Sequence, residues 1–338
     1  MRIKLEHPKI ISYLHHAYPL SVMATHESFQ PWFYSNYIQL FCYKNMEGDA
    51  CPVNFYRYHD WSYYPLLDHQ LISRDLVSNN EVKEWIKLAI DLGNCIYTYV
   101  NEFYVPGRNS YQKYDNDHDL LLSGYDEERS VYHAASFIKA NYVEFELKME
   151  DFNQAYSHVN MTYDYIRNIR ILKPAHSFQY RFNVILVVEM LTEYLNSTNN
   201  SDKFSSFFYD ERLVYGINVY QEMIRFIERI KKTGIQCDVR PFHVIWEHKK
   251  IMIERIRYIQ GLYENRKRGS NTRLEKVAGD YKSVEQMADS LRFLVLMHKK
   301  TNKDSYLDLI EASLHEIKEK DADALSDLRD ILLEMSSD

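Results

Sequence analysis

The sequence predicts an α+β chain in two parts, a mixed domain over residues 1–150 and an all-helical domain over 151–338. Three observations carry that expectation. Turn clusters ("NMEGDACP", "SNN", "VPGRNS") cut the first part into short elements, among them the β-rich runs "CIYTYVNEFYV", "DLLLSGY" and "SVYHAASFI". Beyond about residue 150, apolar residues recur at helical intervals through successive long stretches. With 338 residues, 46% hydrophobic and 26% charged, the chain has a globular composition and enough length for a sizeable core.

Taken in order, the elements have local reasons. Pro31 to Phe41 reads as a helix, with Ser28 upstream as a cap and Pro31 in the first turn. Glu81 to Leu92 reads as a second helix that sets Trp85, Leu88 and Leu92 on one face and stops at Gly93. "DLLLSGYDEERSVYHAASFI" reads as a β-hairpin, two apolar runs around the polar connection "DEERS". Helices then follow in "EDFNQAYSHVNMTYDYIRNIRIL", "QYRFNVILVVEMLTEYL", "YGINVYQEMIRFIERIKK", "FHVIWEHKKIMIERIRYIQGLYENRK", "SVEQMADSLRFLVLMHKK" and "SYLDLIEASLHEIKEK". Breaks fall at Lys173-Pro174, "NSTNNSD", Gly234 and "RGSN".

Charge is unevenly spread. Net charge is −7, yet residues 225–276 carry 14 Lys/Arg against 6 Asp/Glu, and residues 304–338 carry 11 Asp/Glu against 3 Lys/Arg. This is either a basic surface for an acidic partner or two solvated helix faces that neutralise each other. No nucleic-acid-binding motif accompanies the basic segment, so no nucleic-acid partner is expected. The start "MRIKLEHPKI" lacks the apolar run of a signal peptide, no stretch has the length of a membrane span, and Cys42, Cys51, Cys95 and Cys237 lack metal-ligand spacing. A reduced, cytoplasmic setting is the expectation, with no membrane contact. The 29 tyrosines suit interfaces and half-wet pockets, or reflect coding bias.

The chemistry-bearing stretch is "DHDLLLSGYD", residues 117–126. His118 stands at the mouth of an apolar strand between Asp117 and Asp119, with Glu102 upstream. A neighbouring carboxylate favours the protonated imidazole and fixes its orientation, which suits a general base; a surface histidine in a polar loop is the alternative. The wider stretch "CIYTYVNEFYVPGRNSYQKYDNDHDLLLSGYDEERSVYHAASFI" resembles the amino-terminal domain of the butirosin-pathway acyltransferase family. That resemblance implies a papain-like cysteine-enzyme fold followed by a helical domain, and His118 as the family's catalytic histidine. It also implies a cysteine at the start of an amino-terminal helix, where the dipole lowers the thiol pKa. The helix expected to match, in "VMATHESFQPWFYSNYIQLFC", has no cysteine at its start and offers Ser28. The orienting Asp that the family carries on the second hairpin strand is absent from "HAASF", which leaves Asp117, Asp119 or Glu102.

Two further clusters carry candidate residues. His243, Glu247 and His248 lie on one helix, but "HxxxEH" matches no zinc-hydrolase pattern, so no metal is expected; Arg240 and Lys249 read as partners of Glu247 or Glu254. "NFYRYHDWSYYP" could wall a pocket through His59 and Trp61 or pack on its own rings, and Tyr34, Tyr104 and Tyr125 complete the expected substrate-binding set. No phosphate loop, CxxC or Ser/His/Asp signature is present, and no cofactor is called for. The resemblance implies acyl or aminoacyl transfer from a carrier-protein thioester to an amine or alcohol in specialised-metabolite biosynthesis, with His118 as base; the residues leave open Ser28 or an unplaced thiol as nucleophile, or direct transfer in which His118 deprotonates the acceptor. The alternative is a binding protein that keeps the fold without a nucleophile. A homodimer is compatible with either, and a peptidase would lack the same thiol.

Overall fold

A computed structural model of the chain describes all residues except 45–50, 56–63, 78–80, 140, 176, 200–211, 266–270 and 338. In chain order the elements are α1 (Leu14–Met23), α2 (Phe29–Asn36), β1 (Leu40–Tyr43), β2 (Asn54–Phe55), β3 (Leu67–Ser73), α3 (Val82–Asp91), β4 (Cys95–Asn101), β5 (Asp117–Asp126), β6 (Val131–Ile138) and β7 (Asn141–Lys148). They continue with α4 (Met149–Ser157), β8 (Asn168–Pro174), α5 (Val184–Asn196), β9 (Leu213–Tyr215), α6 (Val219–Thr233), α7 (Arg240–Asn265), α8 (Thr272–Thr301) and α9 (Ser305–Ser337). The architecture is α+β, with two antiparallel sheets among the described residues.

The chain forms two compact units, each made from separate segments: Met1–Phe29 with His59–Gln179, and Gln30–Tyr58 with Tyr180–Asp338. The expected boundary at residue 150 falls inside the first unit. The reason is β8, which the helical reading of "EDFNQAYSHVNMTYDYIRNIRIL" had absorbed. After α4 ends at Ser157, "NIRILKP" pairs between β3 and β4 and buries Ile169 and Leu172, and sheet pairing overrides the helical spacing.

In the first unit six strands run in the order β3-β8-β4-β5-β6-β7. Strand alternation sorts their side chains onto two faces. Ile96, Val100, Leu120, Leu122, Tyr132, Ala134 and Leu147 meet α3 and α4 in one apolar core with Ile86, Ile90, Phe152 and Tyr156. The buried side of α3 is therefore Val82, Ile86, Ala89 and Ile90, while Leu88 and Leu92 of the Trp85 face are exposed. The expected hairpin is present as β5 and β6, bulged between Leu122 and Gly124. That bulge admits the amino-terminal segment: Ile3 N–H donates to the Ser123 carbonyl (2.7 Å) and Tyr125 N–H to the Met1 carbonyl (2.8 Å). A Cβ at Gly124 would lie 2.6 Å from the Met1 oxygen. The Gly-Tyr that precedes Asp126 in "DHDLLLSGYD" thus receives the amino-terminal segment, with Arg2 bridged to Gly124.

The second unit is helical around the small sheet β2-β1-β9. The helix expected over Pro31 to Phe41 stops at Asn36, and its last two residues, Leu40 and Phe41, open β1, which pairs with β2 and β9. Beyond Tyr180 the helices form as their caps dictate. Asn183 and Asn271 accept backbone N–H groups at the starts of α5 and α8, and Gly234 ends α6 in the left-handed region at φ 69°. No helix among the described residues is long and apolar enough to cross a membrane.

Candidate active site

The site lies where β4 ends and β5 begins. Asn101 closes the intervening loop, its Oδ1 accepting from the N–H groups of Phe103 (3.0 Å) and Asn116 (3.3 Å) and its Nδ2 donating to Asp115 (2.7 Å). Glu102 fixes the loop from inside: it is ion-paired with Arg108 and accepts from Ser110 Oγ (2.7 Å) and Asn116 Nδ2 (2.7 Å). Arg108, itself buried, donates to Ser136 Oγ (2.7 Å) and to the Phe137 carbonyl.

On this base stands the dyad. His118 Nδ1 lies 2.7 Å from Asp119 Oδ1 and 3.8 Å from Glu102 Oε1. Alternation alone would send the side chains of neighbouring strand residues to opposite faces; at the mouth of β5 the imidazole instead lies against the adjacent carboxylate. The contact is one of charge, because the buried Nδ1 makes no aligned hydrogen bond. The Asp119 Oδ2 accepts from the Tyr97 hydroxyl (2.9 Å). Nδ1 is buried, yet 42% of the His118 side chain as a whole is exposed.

Electrostatics follow from this geometry. Burial works against the His118 cation, but contact with Asp119 and the charge of Glu102 outweigh it, and the pKa sits above the ordinary value. Burial works against the Asp119 anion, but His118 and Tyr97 hold its pKa below the ordinary carboxyl value. His15, in the first turn of α1, adds positive potential at the same carboxylate. Helix α1 reaches this strand through Tyr18, whose hydroxyl is 3.0 Å from the Asp119 carbonyl oxygen and 3.1 Å from Ser136 Oγ.

Of the residues expected at the site, His118, Asp119 and Glu102 come together. Asp119 is the carboxylate on the imidazole, and Glu102 is committed to Arg108, Ser110 and Asn116. Asp117 turns to another task, accepting the Asn160 N–H (2.9 Å), and burial raises its pKa. Ser28 donates its backbone N–H to His26 Nδ1 (3.0 Å), and no hydrogen bond joins it to His118 among the described residues. Helix α2, expected to supply the nucleophile, belongs after its first residue to the second unit; the helix joined to Asp119 of β5, through the Tyr18 hydroxyl, is α1. Its opening residues Tyr13, Leu14, His15 and His16 include no thiol.

The aromatic expectations divide similarly. Tyr104 is near the dyad in sequence and packs its ring on His158, 4.7 Å between centroids. Tyr125 is seven residues along β5 from His118, roughly 23 Å of strand, where its hydroxyl donates to Asp91 (2.9 Å). Tyr34 lies in the second unit, hydrogen-bonded to Glu254 (3.1 Å). His59 and Trp61 lie outside the described residues, as does most of "NFYRYHDWSYYP". Tyr18, Tyr97, Arg108 and Ser136 were missed. Tyr97 was findable, since it alternates with Tyr99 on the face that β4–β5 pairing gives to Asp119.

No cysteine offers an activated thiol. All four are buried, and burial pushes Cys95 and Cys237 up to about 12. Among the described residues, no group of three or more His, Cys, Asp or Glu side chains could hold a metal ion. His243 pairs with Glu247 at 3.3 Å, and His248 is buried against the Ile38 carbonyl (2.7 Å). Lys249, expected to pair with Glu247 or Glu254, instead meets Asp321 at 2.6 Å. Much of the basic run is likewise engaged: Lys231 bridges Asp308 (2.6 Å) and Glu311 (2.7 Å), Arg240 holds Asp238, and Arg273 holds Glu334. Lys231, Lys249 and Arg273 thus pair across the two charged segments, whereas Arg240 pairs within its own. No protein-family model matches the chain, and no curated protein matches its sequence.

Proposed function

We propose that the protein catalyses acyl transfer from a thioester to an amine or alcohol, without a covalent enzyme intermediate, with His118 as general base. One observation carries the reading: the Asp119 carboxylate stands 2.7 Å behind Nδ1 of an imidazole whose side chain is partly exposed. Held in this way, Nε2 takes a proton from the acceptor as its nitrogen or oxygen attacks the thioester carbonyl. The tetrahedral intermediate then expels the thiolate, which takes the proton back from the imidazolium. Amide or ester and free thiol are the products. The papain-like assignment draws support from α1 being joined to the strand of the histidine through Tyr18, and the missing first-turn thiol is why the transfer is written as direct. A carrier-bound thioester fits as donor, in the biosynthesis of a specialised small molecule.

The test uses an N-acetylcysteamine thioester with a primary amine and follows thiol release. His118→Ala is expected to lower turnover by about 10²–10⁴-fold, the usual worth of a general base, while the intact mass of the wild-type protein stays unchanged. Equal rates in wild type and His118→Ala would sink the proposal, and an added acyl mass would replace it with covalent catalysis. A second reading, a non-catalytic binding protein of the same fold, is favoured by the burial of all four thiols. It would gain if thioester bound without any turnover.

A further inference from the structure

A half-open cavity of about 390 Å³ lies wholly within the second unit, inside the size range of small-molecule sites. Its walls are chemically lopsided. Tyr180, Phe182, Tyr258 and Tyr263 supply rings, and Leu262, Leu332 and Met335 supply aliphatic surface. Among the described residues, Arg181 is the only charged one on the wall, and no carboxylate lines it.

The aromatic wall is held from behind. Tyr258 packs edge-on to Phe182, with centroids 5.3 Å apart, and against Tyr34 at 5.1 Å; the Tyr34 hydroxyl is tied to Glu254. The Tyr180 hydroxyl accepts from Asn36 Nδ2 (3.3 Å). Arg181, in contrast, is exposed and has no ion pair or hydrogen bond among the described residues. Beside it begins α5, whose first residue, Val184, also lines the cavity. The positive end of that helix and the uncommitted guanidinium act in the same sense.

We infer that this cavity binds a small amphipathic carboxylate, its aryl or alkyl body against the rings and its carboxylate at Arg181 and the start of α5. The inference does not rest on the acyl-transfer reading, since none of the lining residues belongs to the dyad. Its test is calorimetric titration of the full chain with 4-phenylbutyrate and with the neutral isostere 4-phenylbutanol. The acid is expected to bind about tenfold or more tightly than the alcohol, as a charge-assisted pair requires. Arg181→Gln should abolish that preference and leave alcohol binding unchanged, and Tyr258→Ala should weaken both ligands. Because Arg181 is exposed, its variant should keep the wild-type melting temperature, which separates lost recognition from lost folding. Equal affinities for acid and alcohol, a preference that survives Arg181→Gln, or no binding of either at millimolar concentration would each overturn the assignment.

Discussion

Burial by itself would keep the His118 imidazole neutral; Asp119, with Glu102 behind it, reverses that sign. Removing the Asp119 charge should therefore do more than cancel the upward shift. In Asp119→Asn, burial is left to dominate, and the His118 pKa should fall from above its ordinary value to below it, as read from the ring proton in an NMR titration. The same shifts set a pH window for stability. His118 has a raised folded-state pKa, so its contribution is full below about 6.5 and is lost as pH rises through the raised value. Asp119 has a lowered one, so its contribution is present above about 3.9 and is lost as pH falls through the lowered value. The difference in denaturation midpoint between wild type and Asp119→Asn should plateau between these limits and shrink on both sides. A flat difference across pH would show that the pair adds nothing to stability. Turnover by His118 as a base should, conversely, rise with pH through the raised value.

Elements whose shape depends on near neighbours in sequence were legible; those placed by distant partners were not. The Gly124 bulge shows the difference. "SGYD" could be read as the end of a strand, but the close passage of Met1 and Arg2 over that glycine is a contact across more than 120 residues. Gly124→Ala should accordingly cost about 1–3 kcal/mol, the usual penalty for forced overpacking, seen as a lower urea midpoint with an unchanged m-value; a neutral result would mean that the amino-terminal segment yields freely. Helices α5, α6 and α8 announce their ends through Asn183, Gly234 and Asn271. Helix α1 did not, because Pro19 within it reads as a breaker. The next stretch with visible helix-start signals, Ser28 and Pro31, belongs to α2. The carboxylate was undecidable for a related reason: Asp117 and Asp119 are equivalent by strand alternation, and only Asn160, brought in after α4, claims Asp117.

At the scale of whole units, Asp321 is the hub of the helical one. It accepts from Tyr194 (2.6 Å), Tyr220 (3.3 Å), Tyr281 (2.5 Å) and Lys249 (2.6 Å), so one side chain from each of α5, α6, α8 and α7 converges on a carboxylate of α9. Lys249→Met leaves that buried carboxylate without its cation and should destabilise the unit by about 3–5 kcal/mol. Adding Asp321→Leu should recover part of the loss in chemical denaturation, which a simple packing defect at Lys249 would not allow. The unit also depends on the early segment 30–58. Fully buried Arg255 donates to the Tyr34 carbonyl (2.7 Å) and the Tyr37 carbonyl (2.5 Å), and His248 meets that of Ile38. Residues 180–338 produced alone should therefore lack a cooperative melt, whereas co-expression with 30–58 should restore some of it.

That discontinuity bears on how the chain is made. Strand β1 leaves the ribosome about 170 residues ahead of its partner β9, a wait on the order of ten seconds at ordinary rates of synthesis. During that time its second edge has no mate, while the six strands of the first unit are synthesised after it. The segment between the two halves of that sheet domain is thus a nascent strand in storage, and the point in translation at which β9 emerges is when the small sheet β2-β1-β9 can first close.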